Sequence, residues 1–145
     1  VNQRQPEDHP SVPNWQAIRA AASRFPEPAY QFVREGLAHT VKAIHGKLDE
    51  PQRPGAGLQT QRSRHVDGRQ LALGLRDFAI RQYGPMAGTV MRKWGISRTQ
   101  DFGTIVYAMI DKGEMRASSQ DDVNDFNDVF DFEEAFVEPL AMRSE

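Results

Sequence analysis

Several groups of residues in this chain have types and spacings that can do chemistry. The triplet Asp101-Phe102-Gly103, within "TQDFGTIVYAMIDKG", has the letters of the magnesium-binding element of protein kinases. That chemistry needs a loop aspartate after a strand, beside a catalytic Asp-Asn loop, a strand lysine and a glycine-rich loop. None of this apparatus accompanies the triplet. Phe102 instead belongs to a helical apolar stripe, and Asp101 reads as a first-turn carboxylate favoured by the helix dipole. The stretch "GPMAGT" at 84–89 has phosphate-loop glycine spacing, but it lacks the length and the lysine that reaches the phosphates, so it reads as a turn between helices. Asp121, Asp122, Asp125, Asp128, Asp131, Glu133 and Glu134 form an acidic run that could hold calcium. The EF-hand order fails there, because no glycine follows and the alternation slips. A solvated charged loop is the plainer reading, with weak, unspecific cation binding as the alternative.

The histidines are His9, His39, His45 and His65. His39 stands four residues after Glu35, the spacing of an exposed helical charge pair. There is no HExxH, no GxSxG and no serine or threonine with an evident base. No catalytic, cofactor-binding or metal-ligating residue is therefore assigned, and no cofactor is expected. A pocket gathering His65, Asp67, Asp77 or Glu35 would reopen the case for an enzyme.

Charge is unevenly spread. The net charge of the 145 residues is -2, yet residues 1–116 carry 17 Lys/Arg against 11 Asp/Glu (+6) and residues 117–145 carry 1 against 9 (-8). Within 53–98 nine basic residues face only Asp67 and Asp77 (+7). Such asymmetry points to interaction rather than to fold. It nominates Arg62, Arg64, Arg69, Arg92 and Lys93 as polyanion-binding residues, and it raises the idea that the acidic tail folds against the basic stretch and screens it. With no cysteine, disulfides, thiol catalysis and cysteine zinc sites are excluded, and a reducing cytoplasm is the expected setting. No apolar run approaches the ~18 residues of a membrane span. The opening "VNQRQPEDHPSVP" reads as a disordered leader and not as a signal peptide.

The elements that must position these groups are helical. Asn14 reads as an N-cap, followed by Trp15, Ile18, Ala22 and Phe25 at helical spacing. "PEP" at 26–28 breaks that helix, and Pro28 suits the first turn of the next. Tyr30, Val33, Leu37, Val41 and Ile44 stripe the second helix, which Gly46 closes. Phe32, Gly36, Thr40 and Ala43 share another of its faces, which is either a second buried side or an interface with a partner or a second copy. Residues 47–64, with two prolines and two glycines, read as a mobile loop. Asp67-x-x-Gln70 is a capping-box variant before Leu71, Leu75, Phe78 and Ala79; Met86, Val90, Met91 and Trp94 stripe a short helix; and Ser97-x-x-Gln100 reads as a capping box before Phe102, Ile105, Val106, Met109 and Ile110. Gly103 is odd inside that last helix, and a close neighbour carrying Trp94 would account for it. Beyond Gly113, Met115-Arg116-Ala117 and Asn127 to Phe132 could pair as a short ribbon, with Phe126, Phe130, Phe132 and Phe136 pinning the tail to the helices.

The expected architecture is therefore mainly α: a disordered leader 1–13, a single domain 14–136 interrupted by the 47–64 loop, and a tail 137–145. Within the domain stand an N-terminal helical pair and a three-helix core with helix-turn-helix proportions, winged-helix-like if the β ribbon forms. The would-be recognition helix, expected to expose Arg98, Gln100, Asp101, Thr104, Tyr107, Asp111 and Lys112, is close to neutral and poor in base-reading side chains. The acidic wing would repel phosphate. The favoured expectation is a non-catalytic binding or regulatory module acting through protein contact or self-association. A nucleic-acid binder using the basic 53–98 segment is the rival, and an enzyme with a site hidden in space is the third reading.

The runs "RDFAIRQYGPMA", "WGISRTQDFG" and "VFDFEEAF", with the earlier "AYQFVREGL", resemble an uncharacterised family of roughly 150-residue proteins found mainly in planctomycetes and verrucomicrobia. The similarity spans about residues 28 to 136, without the tails and the 47–62 loop. That family has no assigned activity, cofactor or site. The resemblance implies a small bacterial protein and carries over no functional residue.

Overall fold

A computed structural model describes residues 12–46 and 65–137. Most of the leader, the 47–64 loop and residues 138–145 lie outside the described residues, so the expectations about them do too. Five α-helices carry the fold: α1 (Trp15–Ala22), α2 (Glu27–His45), α3 (Gly68–Tyr83), α4 (Ala87–Lys93) and α5 (Thr99–Asp111). Their ends follow local chemistry. Asn14 Oδ1 accepts the Ala17 N–H at 3.1 Å to start α1. Asp67 accepts the Gln70 N–H at 2.8 Å while the Gln70 side chain accepts the Asp67 N–H at 3.1 Å, a reciprocal cap on α3. Pro28 sits in the first turn of α2. The left-handed glycines Gly84, Gly95 and Gly113 (φ 53°, 85° and 82°) turn the chain out of α3, α4 and α5.

α5 is the hub. Phe102, Ile105 and Met109 are fully buried, and Asp101, Gly103, Tyr107 and Ala108 on its other sides are buried too. α1 lies mainly on α5, and α2 lies mainly on α3. The N-terminal pair is joined by the Tyr30 hydroxyl, which donates to the Ala22 carbonyl at 2.9 Å, while each helix packs on its own partner in the core. The α2–α3 contact explains the second apolar face of α2. Phe32, Gly36 and Thr40 are buried, with Gly36 against the Leu75 side chain and Thr40 against Gly74. An interface with a partner is ruled out for these three residues, because α3 already covers them. Ala43 alone of the four is exposed.

The Ser97 capping box does not form. α5 begins at Thr99, and the Asp101 carboxylate itself takes the Ser97 N–H at 2.9 Å and the Arg24 guanidinium at 2.9 Å. Asp101 is thereby 3 % exposed, not a solvated first-turn charge. His39 lies against the Phe78 ring at 5.2 Å, and Glu35 pairs with Gln31 instead.

Among the described residues there is no strand, so the β ribbon is overturned and with it the wing. The reasons are local. Asp122 and Asp125 cap a 3₁₀ turn at Val123–Phe126, Asp128 takes a left-handed φ of 49°, and a π-helical turn follows at Glu133–Val137. The tail's phenylalanines, Phe126, Phe130, Phe132 and Phe136, all pack on the core from these turns.

Candidate binding cleft

Phe126 decides where the acidic segment goes. It is 2 % exposed and seated between two glycines, Gly68 at the start of α3 and Gly103 in α5. A Cβ on Gly103 would stand 2.9 Å from Phe126 Cδ2, and one on Gly68 would stand 2.9 Å from Phe126 Cε2. Ordinary carbon contacts lie near ~3.5–4.0 Å, so only glycine admits the ring at this depth. The neighbour that Gly103 accommodates is therefore Phe126, not the helix of Trp94. Thr99, 1 % exposed, clamps the same turn: its hydroxyl donates to the Phe126 carbonyl at 2.6 Å and accepts the Val129 N–H at 3.1 Å. Phe132 and Phe136 extend the anchor, with ring centroids 5.0 Å apart and Phe132 5.8 Å from Phe102.

This seating places Asp121, Asp122 and Asp125 at a cleft of about 280 Å³. Leu37 and Val41 of α2, Leu71 of α3, Val106 and Ile110 of α5, and Met115 supply an apolar floor. Asp67, Glu114, Asp121, Asp122 and Asp125 line it, with His65 and Arg116. Backbone donors fix the acids: Ser118 N–H to Asp121 Oδ2 at 2.8 Å, Asn124 N–H to Asp122 Oδ1 at 2.9 Å, and Asp122 N–H to Asp125 Oδ2 at 3.2 Å. His65 Nε2 lies 2.9 Å from Asp121 Oδ1.

The described lining of the cleft is rich in carboxylates. Burial pushes the Asp125 carboxyl above its ordinary range, and the charges of Asp122, Asp67 and Asp121 add to this against a lowering bond from the Asp122 backbone. Burial, then Asp121, Asp125 and Asp122, push the Tyr107 hydroxyl up to about 12. Tyr107 is 4 % exposed, packs on Trp15 and lines the cleft.

Of the residues that would reopen the case for an enzyme, the cleft gathers His65 and Asp67 but not Asp77 or Glu35. Asp67 is engaged as the α3 cap, and His65 is engaged with Asp121. Arg69, Arg92 and Lys93 are exposed, whereas Arg62 and Arg64 lie outside the described residues. Among the described residues the tail meets the 53–98 stretch where the Arg76 guanidinium lies 5.7 Å from the Phe130 centroid and where His65 pairs with Asp121. Tyr107, Glu114 and the depth of Asp125 escape sequence reasoning, which reads the acidic run as a solvated loop. The available signal was the pair of in-helix glycines, Gly68 and Gly103, marking where another group inserts.

Among the described residues no group of three or more histidines and carboxylates converges as a metal-ligand set, and no helix is long and apolar enough to cross a membrane. Comparison with protein-family models, with curated proteins and with solved structures finds no match to this chain.

Proposed function

We propose that this chain is a non-catalytic binding module that acts through protein contact, with the acid-lined cleft as the seat of its partner. The observation that carries the reading is the cleft itself, an open hollow with an apolar floor and fixed polar groups, the usual composition of a ligand site. Phe126 and Phe136 are core residues, which supports reading Asp121, Asp122 and Asp125 as fixed parts of the cleft wall. Membership of the planctomycete and verrucomicrobial family, and a cytoplasmic setting, are part of the same proposal.

Photo-cross-linking tests it. A benzophenone amino acid at Met115, a half-buried cleft residue, should capture a discrete protein in the native cell, and one at exposed Thr89 on α4 should not. Equal capture at both positions contradicts the reading.

The nucleic-acid rival rests on exposed Arg69, Arg92 and Lys93. Burial of Asp101, Phe102, Tyr107 and Ala108 leaves α5 little free face to lay in a groove. Gel shifts across a salt series separate the two readings: binding that falls steeply with salt and depends on those three residues favours the rival.

A further inference from the structure

A second groove, of about 290 Å³, runs between α4 and the turns that carry Asp131 and Glu133. No residue lines both this groove and the acid-lined cleft, so the two sites stand or fall separately. One wall is cationic, with Arg92 in the last turn of α4 and Arg98 just before α5. The other is anionic, with Asp131 and Glu133. Asp128 also lines the groove and accepts from the Gln100 amide at 3.2 Å. Phe130 and Phe132, half-buried and stacked with centroids 5.3 Å apart, complete the lining.

The two walls do not pair with each other. Among the described residues Arg92 reaches only the Thr89 hydroxyl, at 3.4 Å, and Arg98 reaches only Asp101, at 3.9 Å. Asp131 Oδ1 accepts the backbone N–H groups of Glu133 and Glu134 at 2.8 and 3.3 Å, and no ion pair engages Asp131 or Glu133. The backbones of both walls are fixed together at Gly88, where a Cβ would stand 3.0 Å from Phe136 Cβ. Exposed charges around aromatic rings, with arginine among them, are the make-up of a protein interface. The two signs side by side decide which protein fits. A purely basic or purely acidic surface would satisfy one wall and be repelled by the other. A copy of this chain, turned about a two-fold axis through the groove, lays each wall on its opposite, and every contact is made twice. We propose that the groove is a self-complementary surface on which a second copy of the chain docks. Arg92 and Arg98 of each copy face Asp131 and Glu133 of the other across the phenylalanine rings.

Analytical ultracentrifugation of the full chain tests this. The largest species at low salt should be a dimer, and raising salt from about 50 to 500 mM should weaken it at least about tenfold. Arg92→Glu and Glu133→Arg, both at exposed positions, should each weaken the dimer at least about a hundredfold, because like charges then meet twice. Mixed in equal amounts, the two variants should recover the wild-type affinity to within about threefold, since each altered wall then meets the other with opposite sign. Circular dichroism melts confirm that both variants fold. In cross-linking, a second copy is told from the partner at the cleft by its mass, which is that of this chain. A wild type that stays monomeric up to about 1 mM, or a dimer indifferent to both reversals, overturns the inference. Failure of the mixed variants to recover, or assembly beyond the dimer, overturns the two-fold pairing of the walls.

Discussion

Gly103→Ala tests the seat of Phe126 by its sign. In an unobstructed helix the change stabilises by about 1 kcal/mol, because alanine is the better helix former. Here the new methyl would lie 2.9 Å from Phe126 Cδ2 and 3.0 Å from Phe126 Cβ and Cγ. Relief requires the ring to retreat by roughly 0.5–1 Å to reach ordinary contact. The ring cannot slide freely: its Cβ is among the crowded atoms, and its carbonyl is held by Thr99 at 2.6 Å. Overpacking of this kind costs about 1–3 kcal/mol. Set against the propensity gain, the net expectation is a loss of about 1 kcal/mol, a fall in Tm of roughly 4 °C for a domain of this size. In a Phe126→Ala background, itself weaker by about 3–5 kcal/mol, the same change should become stabilising by about 1 kcal/mol. Urea and thermal melts followed by circular dichroism over the four proteins close the cycle. Stabilisation by Gly103→Ala in the wild-type background, or an equal loss in both, would refute the seating of Phe126 and with it the placement of the cleft's carboxylates.

Gly74→Ala should destabilise by about 2 kcal/mol, since the new methyl would meet Thr40 Cγ2 at 2.6 Å and its Cβ at 2.8 Å, and Thr40 cannot turn without losing its 2.7 Å bond to the Gly36 carbonyl. Denaturant melts of this variant with and without Thr40→Ala should show a coupling of at least about 1 kcal/mol. Arg24→Met should cost about 2 kcal/mol by melting, because it leaves the almost buried Asp101 carboxylate with only its Ser97 contacts and the distant Arg98. Asp125, whose carboxyl is pushed up in the fold, favours folding while protonated, and that contribution disappears as pH rises through its folded pKa. Asp125→Asn should therefore raise Tm at about pH 7, and the advantage should vanish below about pH 4, where the wild-type acid is protonated in both states.

The helices were legible because their signals are local: Asn14, Asp67 with Gln70, Pro28 and the stop glycines act within a turn of where they stand. The pinning of the tail was legible too, from four phenylalanines in an otherwise acidic run. What escaped was set by distant partners. Asp101 looked like a solvated first-turn acid because Arg24, its partner, stands 77 residues away. Phe32, Gly36 and Thr40 offered the same pattern whether a partner or α3 covered them. The cleft combines side chains from α2, α3, α5 and the 114–126 segment, and no spacing along the chain encodes that convergence. The strand pair failed because aspartate caps and a left-handed residue at Asp128 favour tight turns over extension.

The claim that the cleft seats a protein partner is tested most directly by plugging it. Ile110→Trp would fill the floor from a half-buried position, and Thr89→Trp adds the same bulk on exposed α4. In affinity capture from the native cell, quantified against wild type, the account predicts that Ile110→Trp loses the captured protein at least about tenfold, while Thr89→Trp retains it. Equal capture by the two tryptophan variants, both folded by circular dichroism, would contradict it.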